Sequence, residues 1–285
     1  MLLCIKRLRP MGRASPPPQA GAGHRTNSVE RVSRSQLAKR IAALIDRCRE
    51  GRLKLIRDHE LMPEFQLLAS WQSERLTWTH RDLLASERFG PATRYFFTDL
   101  YGNRDYSPRD EGMERVLPVM VRVMPSPALE SIAMGLEIHA LTQDLDFRMT
   151  EVLIREFGAL DRLTAERYAH AYRLCDNAAD RERQILLIGE IGRTLDRVVR
   201  YTLVYNAVRL ARRPAHLAGF GALHDFIERG FVAFRHMGSA DEFLETIERR
   251  ELAIMGSILE GRPASEWAAP SPPEAAITPP DGRPG

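Results

Sequence analysis

The stretch that most restricts what this chain can become is Phe96-Phe97-Thr98-Asp99-Leu100-Tyr101, set between Pro91 and Gly102. Pro91 suits the first turn of a helix, where its missing N–H costs nothing, and Gly102 suits the left-handed residue just past the end. Between them Phe96, Phe97, Leu100 and Tyr101 crowd four large apolar side chains onto a short helix. A helix of that length is marginal alone in water, so neighbouring helices must bury it. The spacing predicts the central plug of an all-α bundle.

The rest of the chain repeats the helical period. Leu37, Ile41, Leu44, Ile45 and Cys48 recur at three- and four-residue steps after Ser33, which predicts a first helix running toward His59, thinned at Gly51. Pro63 opens a second, expected to continue through Trp71 and Trp78 to about Ser86. Ser107-Pro108-Arg109-Asp110 signals another start, with Met113, Val116, Leu117, Met120 and Val123 behind it and Pro118 predicting a kink. A long helix follows from Ser126 to about Phe157 before Gly158, then a short one from Thr164 to about Leu174. Asp180 to about Ala211 is one continuous apolar pattern, Leu203 included, with Gly189 and Gly192 marking close approach or a bend and Pro214 expected to stop it. Leu223, Ile227, Phe231 and Phe234 mark a helix ending at Gly238, and Ser239-Ala240-Asp241-Glu242 forms a capping box for the last, closed by Gly261. Nothing alternates with period two, so the expectation is about eight to nine helices and no sheet.

Composition sets the boundaries. Residues 1–28 carry Pro16-Pro17-Pro18 and several arginines, and are expected to be a disordered basic tail; residues 29–261 form the bundle; residues 262–285, with seven prolines, form a second disordered tail. The net charge of +3 divides unevenly: residues 1–59 hold 14 Lys/Arg against 4 Asp/Glu, leaving 27 against 34 in the remainder. A mildly acidic body argues against nucleic-acid binding by the fold, and restricts weak contact with nucleic acid or anionic membrane to the N-terminus. Cys4, Cys48 and Cys175 lack disulfide or zinc spacing and fit a reducing cytoplasm. The acid-free, arginine-rich opening fits a transit peptide or an upstream start codon equally well. No stretch approaches the ~20 apolar residues of a membrane span.

The residues from Phe96 to Ser107, Phe-Phe-Thr-Asp-Leu-Tyr-Gly-Asn-Arg-Asp-Tyr-Ser, resemble a bacterial family named after its Phe-Phe-Leu-Glu-Glu-Leu-Tyr motif, the FFLEE-motif proteins. Here Thr98-Asp99 stands where the name has Leu-Glu. Similar features continue at residues 136–146, 183–196 and 225–235. The resemblance implies a cytoplasmic helical protein with no activity or catalytic residue to carry over.

Motifs for chemistry are sparse. No Glu-x-x-His, His-Glu-x-x-His, Gly-x-Ser-x-Gly or phosphate loop is present. Glu166 with His170, and His224 with Glu228, lie one turn apart and are expected to be helix-surface pairs. The candidate polar contacts are His139 and Asp144 on the long helix, Glu190 and Arg193 further on, and Asp99 with Arg104 and Asp105 in or beside the loop after Phe97. No catalytic residue, cofactor or metal is expected. The favoured reading is a non-catalytic interaction module that binds another protein, or itself, through a groove beside the Phe-Phe helix. The alternative is an enzyme or carrier with a cavity around His139, Asp144, Glu190 and Arg193.

Overall fold

Glycine and proline punctuate an almost continuous helical pattern, and in a computed structural model that describes residues 23–100, 115 and 126–269 the pattern becomes ten α-helices with no strand among those residues. By contacts the chain divides after Gln36. Of the first unit, the described part is the opening of α1 (Gly23–Arg57), which starts ten residues before the expected cap at Ser33. The second unit begins at Leu37.

Its helices are the remainder of α1, α2 (Met62–Thr79), α3 (Arg81–Ala85), α4 (Gly90–Tyr95), α5 (Ser126–Phe157), α6 (Ala165–Leu174), α7 (Ala178–Val199), α8 (Thr202–Leu217), α9 (Gly221–Met237) and α10 (Asp241–Leu259). A π turn, Phe96–Leu100, extends α4. The helix expected after Ser107, with Met113 to Val123 and Pro118, lies outside the described residues, as do Tyr101, Gly102, Arg104 and Asp105.

Local chemistry fixes most ends. Gly158, Gly238 and Gly261 follow α5, α9 and α10 at φ of 70°, 77° and 73°. After α10, the N–H of Arg262 donates to the Ser257 carbonyl at 2.9 Å and that of Gly261 to Ile258 at 3.1 Å, a Schellman closure. Thr164 caps α6 by accepting from the Arg167 N–H at 3.3 Å. Ahead of α10, the Ser239 hydroxyl turns to Asp241, so the expected capping box does not form.

Two expected helices are broken. The run from Pro63 to Ser86 is interrupted at His80, where the backbone leaves the helical region (φ −112°, ψ 23°). The run from Asp180 to Ala211 is interrupted at Tyr201, which is extended (ψ 107°). Pro214 does not stop α8, which runs on to Leu217 although the proline has no N–H for the Leu210 carbonyl, and Gly219 follows the helix at φ 80°. The break at Tyr201 resets the phase: Val204 and Val208 pack against the core, whereas Leu203 turns to solvent.

Three apolar clusters result. In the first, Phe96 and Phe97 are buried; the Phe96 ring lies 5.7 Å from Phe243 and 6.1 Å from Phe234. Tyr95 crosses α9 at Gly230, where a Cβ would sit 2.7 Å from the tyrosine oxygen. The second cluster stacks Trp71 on Tyr168 at 4.1 Å with Trp267 edge-on. The third joins α1 to α5 through Leu37, Ile41, Ile45, Leu129 and Ala133. Residues 262–269, which composition assigns to the tail, are described, and Trp267 among them packs in the second cluster. It is 2% exposed, and a short turn at Ala264–Glu266 carries the chain back onto the body.

α7 lies against α10 at Gly192, whose added Cβ would stand 2.4 Å from a Leu244 methyl, and at Gly189, where it would stand 2.7 Å from the Glu248 carboxylate. The two glycines expected to mark close approach do so.

Candidate functional site

Polar side chains interrupt the apolar faces of α2 and α10 at matching heights. On α2, Gln72, Arg75 and Thr79 follow at one-turn steps after Leu68 of the second cluster, and His80 stands at the break before Leu83 of the first. On α10, Glu251 stands between Ile247 of the first and Ile254 of the second. Arg75 Nη1 donates to Glu251 Oε2 at 2.7 Å, and His80 Nε2 lies 2.9 Å from Oε1. Burial opposes ionisation of Glu251, but the Arg75 guanidinium and His80 outweigh it and hold the carboxyl below the ordinary range. Burial likewise opposes the Arg75 charge, and Glu251 overcomes it, leaving the guanidinium more firmly protonated. Close by, Gln72 Nε2 donates to Asp146 Oδ1 at 3.1 Å. Burial pushes that carboxyl above its usual value, with Arg181 pulling it back. The Arg181 guanidinium sits 4.9 Å over the Tyr172 ring, whose phenol is pushed up by burial first and by Tyr168 next.

A histidine bonded to a carboxylate is a familiar acid–base pair, yet His80 is fully buried, with the Phe97 ring 5.8 Å away. The cluster lies between the first and second apolar clusters and joins them. At its edge, Arg250 forks onto both oxygens of Asp82 at 2.7 Å and reaches the Thr79 carbonyl at 3.0 Å, tying α10 to the α2–α3 junction. That guanidinium holds the Asp82 carboxyl down at about 2.

The sequence candidates do not converge. Asp144 on α5 pairs with Arg47 of α1. Glu190 accepts from Arg183 at 3.4 Å on its own helix, and Arg193 donates to Glu248 on α10 at 2.8 Å. His139 is half-buried on α5 and engaged. Asp99 has its backbone in the π turn; Arg104 and Asp105 lie outside the described residues. An open cleft of about 730 Å³ between α1 and α5 touches Asp144 and none of the other three. Ion pairs cross it, including Lys54 to Glu151 at 2.8 Å, so its walls answer their own charges. Among the described residues no group of histidine, cysteine, aspartate or glutamate is arranged to hold a metal ion, and no helix is long and apolar enough to cross a membrane. On α4 and the turn after it, Gly90, Ala92, Thr93, Tyr95, Phe96 and Phe97 are buried, with Arg94 and Thr98 at the surface.

The apolar surface that remains open is on α8. Leu203, Leu210 and Leu217 are 83%, 80% and 90% exposed. With Ala207 and Pro214 between them they form an unbroken line of alternating four- and three-residue steps, the a/d seam of a coiled coil, facing away from Val204 and Val208. His216 and Arg212 anchor the inner side of α8 to α9 through Asp225 at 2.9 Å and Glu228 at 3.8 Å.

Residues 53–265 match the family model described as a domain of unknown function (DUF8198). The chain belongs to the DUF8198 family. No curated protein and no solved structure matches it. The DUF8198 match takes in the Arg75–His80–Glu251 cluster, the π turn and the whole of α8. It leaves out the α1 residues of the third cluster and Trp267.

Sequence reasoning missed both features for one reason each. Arg75 and Glu251 are 176 residues apart, and neither stands in a motif. The α8 seam was hidden because Leu203 continues the α7 pattern, and only the break at Tyr201 sends it outward; Leu210 and Leu217, each seven residues on, were the available signal.

Proposed function

We propose that this DUF8198 protein is a non-catalytic protein-interaction module acting in the cytoplasm, and that the Phe96-Phe97 plug is its mark of kinship with the FFLEE-motif proteins. The observation that carries the reading is the leucine seam on α8. Three leucines at four-fifths exposure or more, on one line of a helix whose other side is anchored, leave apolar area uncovered that a partner helix would bury. The polar groups nearest to chemistry, His80 and Glu251, are enclosed, and the other candidates are occupied in separate ion pairs. Cytoplasmic residence rests on the scattered cysteines, of which Cys48 and Cys175 are buried thiols outside any disulfide.

The test is a comparison of the full chain with Leu203→Glu/Leu210→Glu in affinity capture and in light scattering behind size exclusion. The wild type is expected to retain a protein, or to self-associate, and the variant to lose it at unchanged helicity. Identical behaviour of the two proteins would overturn the proposal.

A further inference from the structure

The basic character of this chain is not confined to its N-terminus. Residues 197–224 contain Arg197, Arg200, Arg209, Arg212 and Arg213 and no aspartate or glutamate, within a body that is otherwise mildly acidic. The span is α8 with its two flanking joints, the last residues of α7 and the first turn of α9. Arg200 is held by Asp196 at 2.7 Å, and Arg212 faces Glu228. Arg209 and Arg213 remain: Arg209 lies 5.8 Å over the Tyr205 ring, and neither makes an ion pair among the described residues. With about 3.6 residues per turn, both fall on the same flank of the leucine line. In heptad positions Leu203, Leu210 and Leu217 are d, Ala207 and Pro214 are a, and Arg213 is g, the site that selects a partner by charge. The opposite flank carries Ala211 and Ala218, small enough for another backbone to come close.

We infer that α8 docks an acidic amphipathic helix, one whose own leucine-type seam lies along Leu203, Leu210 and Leu217 and whose glutamates or aspartates face Arg209 and Arg213. The inference rests on the interaction reading above and adds the partner's chemistry. Charge complementarity carries it, because a one-signed flank beside an apolar seam attracts the opposite sign and repels its own. The narrowness of the line favours a helix over a lipid surface, which takes a broader apolar face with basic residues on both sides.

The probes are two synthetic helices of about four heptads with leucine at every a and d position, one carrying glutamate and the other lysine at e and g. Each is dye-labelled and titrated with the full chain at low ionic strength, with anisotropy as the readout. The glutamate helix is expected to bind at least about tenfold more tightly than the lysine helix. Arg209→Glu/Arg213→Glu should reverse that order, and Leu210→Glu should abolish binding of both. These side chains lie at the surface, so circular dichroism and melting are expected to be unchanged in all variants. Equal binding of both helices, lost in Leu210→Glu, would overturn the acidic partner and leave the interaction module standing. Glutamate-helix binding that survives both variants, or no binding of either helix, would overturn the docking site itself. A wild-type dimer in sedimentation equilibrium that Leu210→Glu dissolves would make a second copy the occupant. Flotation with phosphatidylserine-containing vesicles, lost in the same variant, would make it a membrane. Either result overturns the acidic helix.

Discussion

Replacing Glu251 with glutamine tests the joint between the two apolar clusters. The carboxylate receives Arg75 at 2.7 Å and His80 at 2.9 Å, and the side chains of Arg75 and Glu251 are only 11% and 13% exposed. Glutamine keeps the shape, removes the charge, and puts an NH2 where one of the two oxygens accepted from Arg75. Stranding a buried cation in this way typically costs about 3–5 kcal/mol, which for a body of this size lowers the melting midpoint by roughly 6–20 °C. The acid limb of the stability curve should change as well. Because the folded state holds Glu251 below the ordinary value of 4.5, the unfolded chain takes up the proton first. This carboxylate therefore stabilises the fold fully above about that pH, and the contribution is lost as pH falls through the depressed pKa. Asp146, pushed the other way by burial, works in the opposite sense: protonation relieves it as pH falls through its raised pKa. Glu251→Gln should remove the first slope and leave the second. Arg75→Met/Glu251→Met, which removes both charges, should cost less than the single glutamine change. Urea melts across the acid range decide the matter. A cost under about 1 kcal/mol with an unaltered acid limb would refute the claim that Glu251 is the counter-charge buried with Arg75.

Other substitutions separate close packing from open helix. Gly192→Ala should destabilise by about 1–3 kcal/mol through the Leu244 methyls, whereas Gly135→Ala and Gly256→Ala, where a Cβ meets nothing within 4 Å, should stabilise by roughly 0.5–1 kcal/mol, all read by thermal unfolding. Trp267→Ala should cost about 3–5 kcal/mol in urea, and ending the chain at Gly261 should cost at least as much. Leu210→Glu should move stability by no more than about 0.5 kcal/mol, since its side chain lies in solvent. Asp82→Asn should cost under about 1 kcal/mol, and less as salt rises, because that aspartate is 57% exposed.

How much of this could be read from residue order depends on whether the controlling interaction is local. Gly158, Gly238 and Gly261 mark helix ends correctly because the left-handed residue is selected within a few peptide units. The all-helical class follows from period alone. The breaks at His80 and Tyr201 do not, because apolar residues continue at helical steps through both, and the bend is imposed by what the next helix packs against. Trp267 lies among prolines, where composition argues for disorder, and its place in the core depends on Trp71 and Tyr168 nearly a hundred or more residues upstream. Of the site, His139, Asp144, Glu190 and Arg193 stood out because they are polar residues in apolar patterns. Arg75, His80 and Glu251 satisfy the same description and were passed over, since only the fold brings them together.

The π turn at Phe96–Leu100 makes this helix tolerant of a lesion that others would not survive. Such a turn bonds each N–H one residue further back than an α-helix does and so holds a surplus residue. Deleting one residue there lets the backbone relax into ordinary α geometry, with the slack absorbed on the spot. The same deletion in the middle of α7 or α10 has nothing to absorb it; every later side chain would swing by about 100°, carrying Gly192 away from Leu244 or Glu251 away from Arg75.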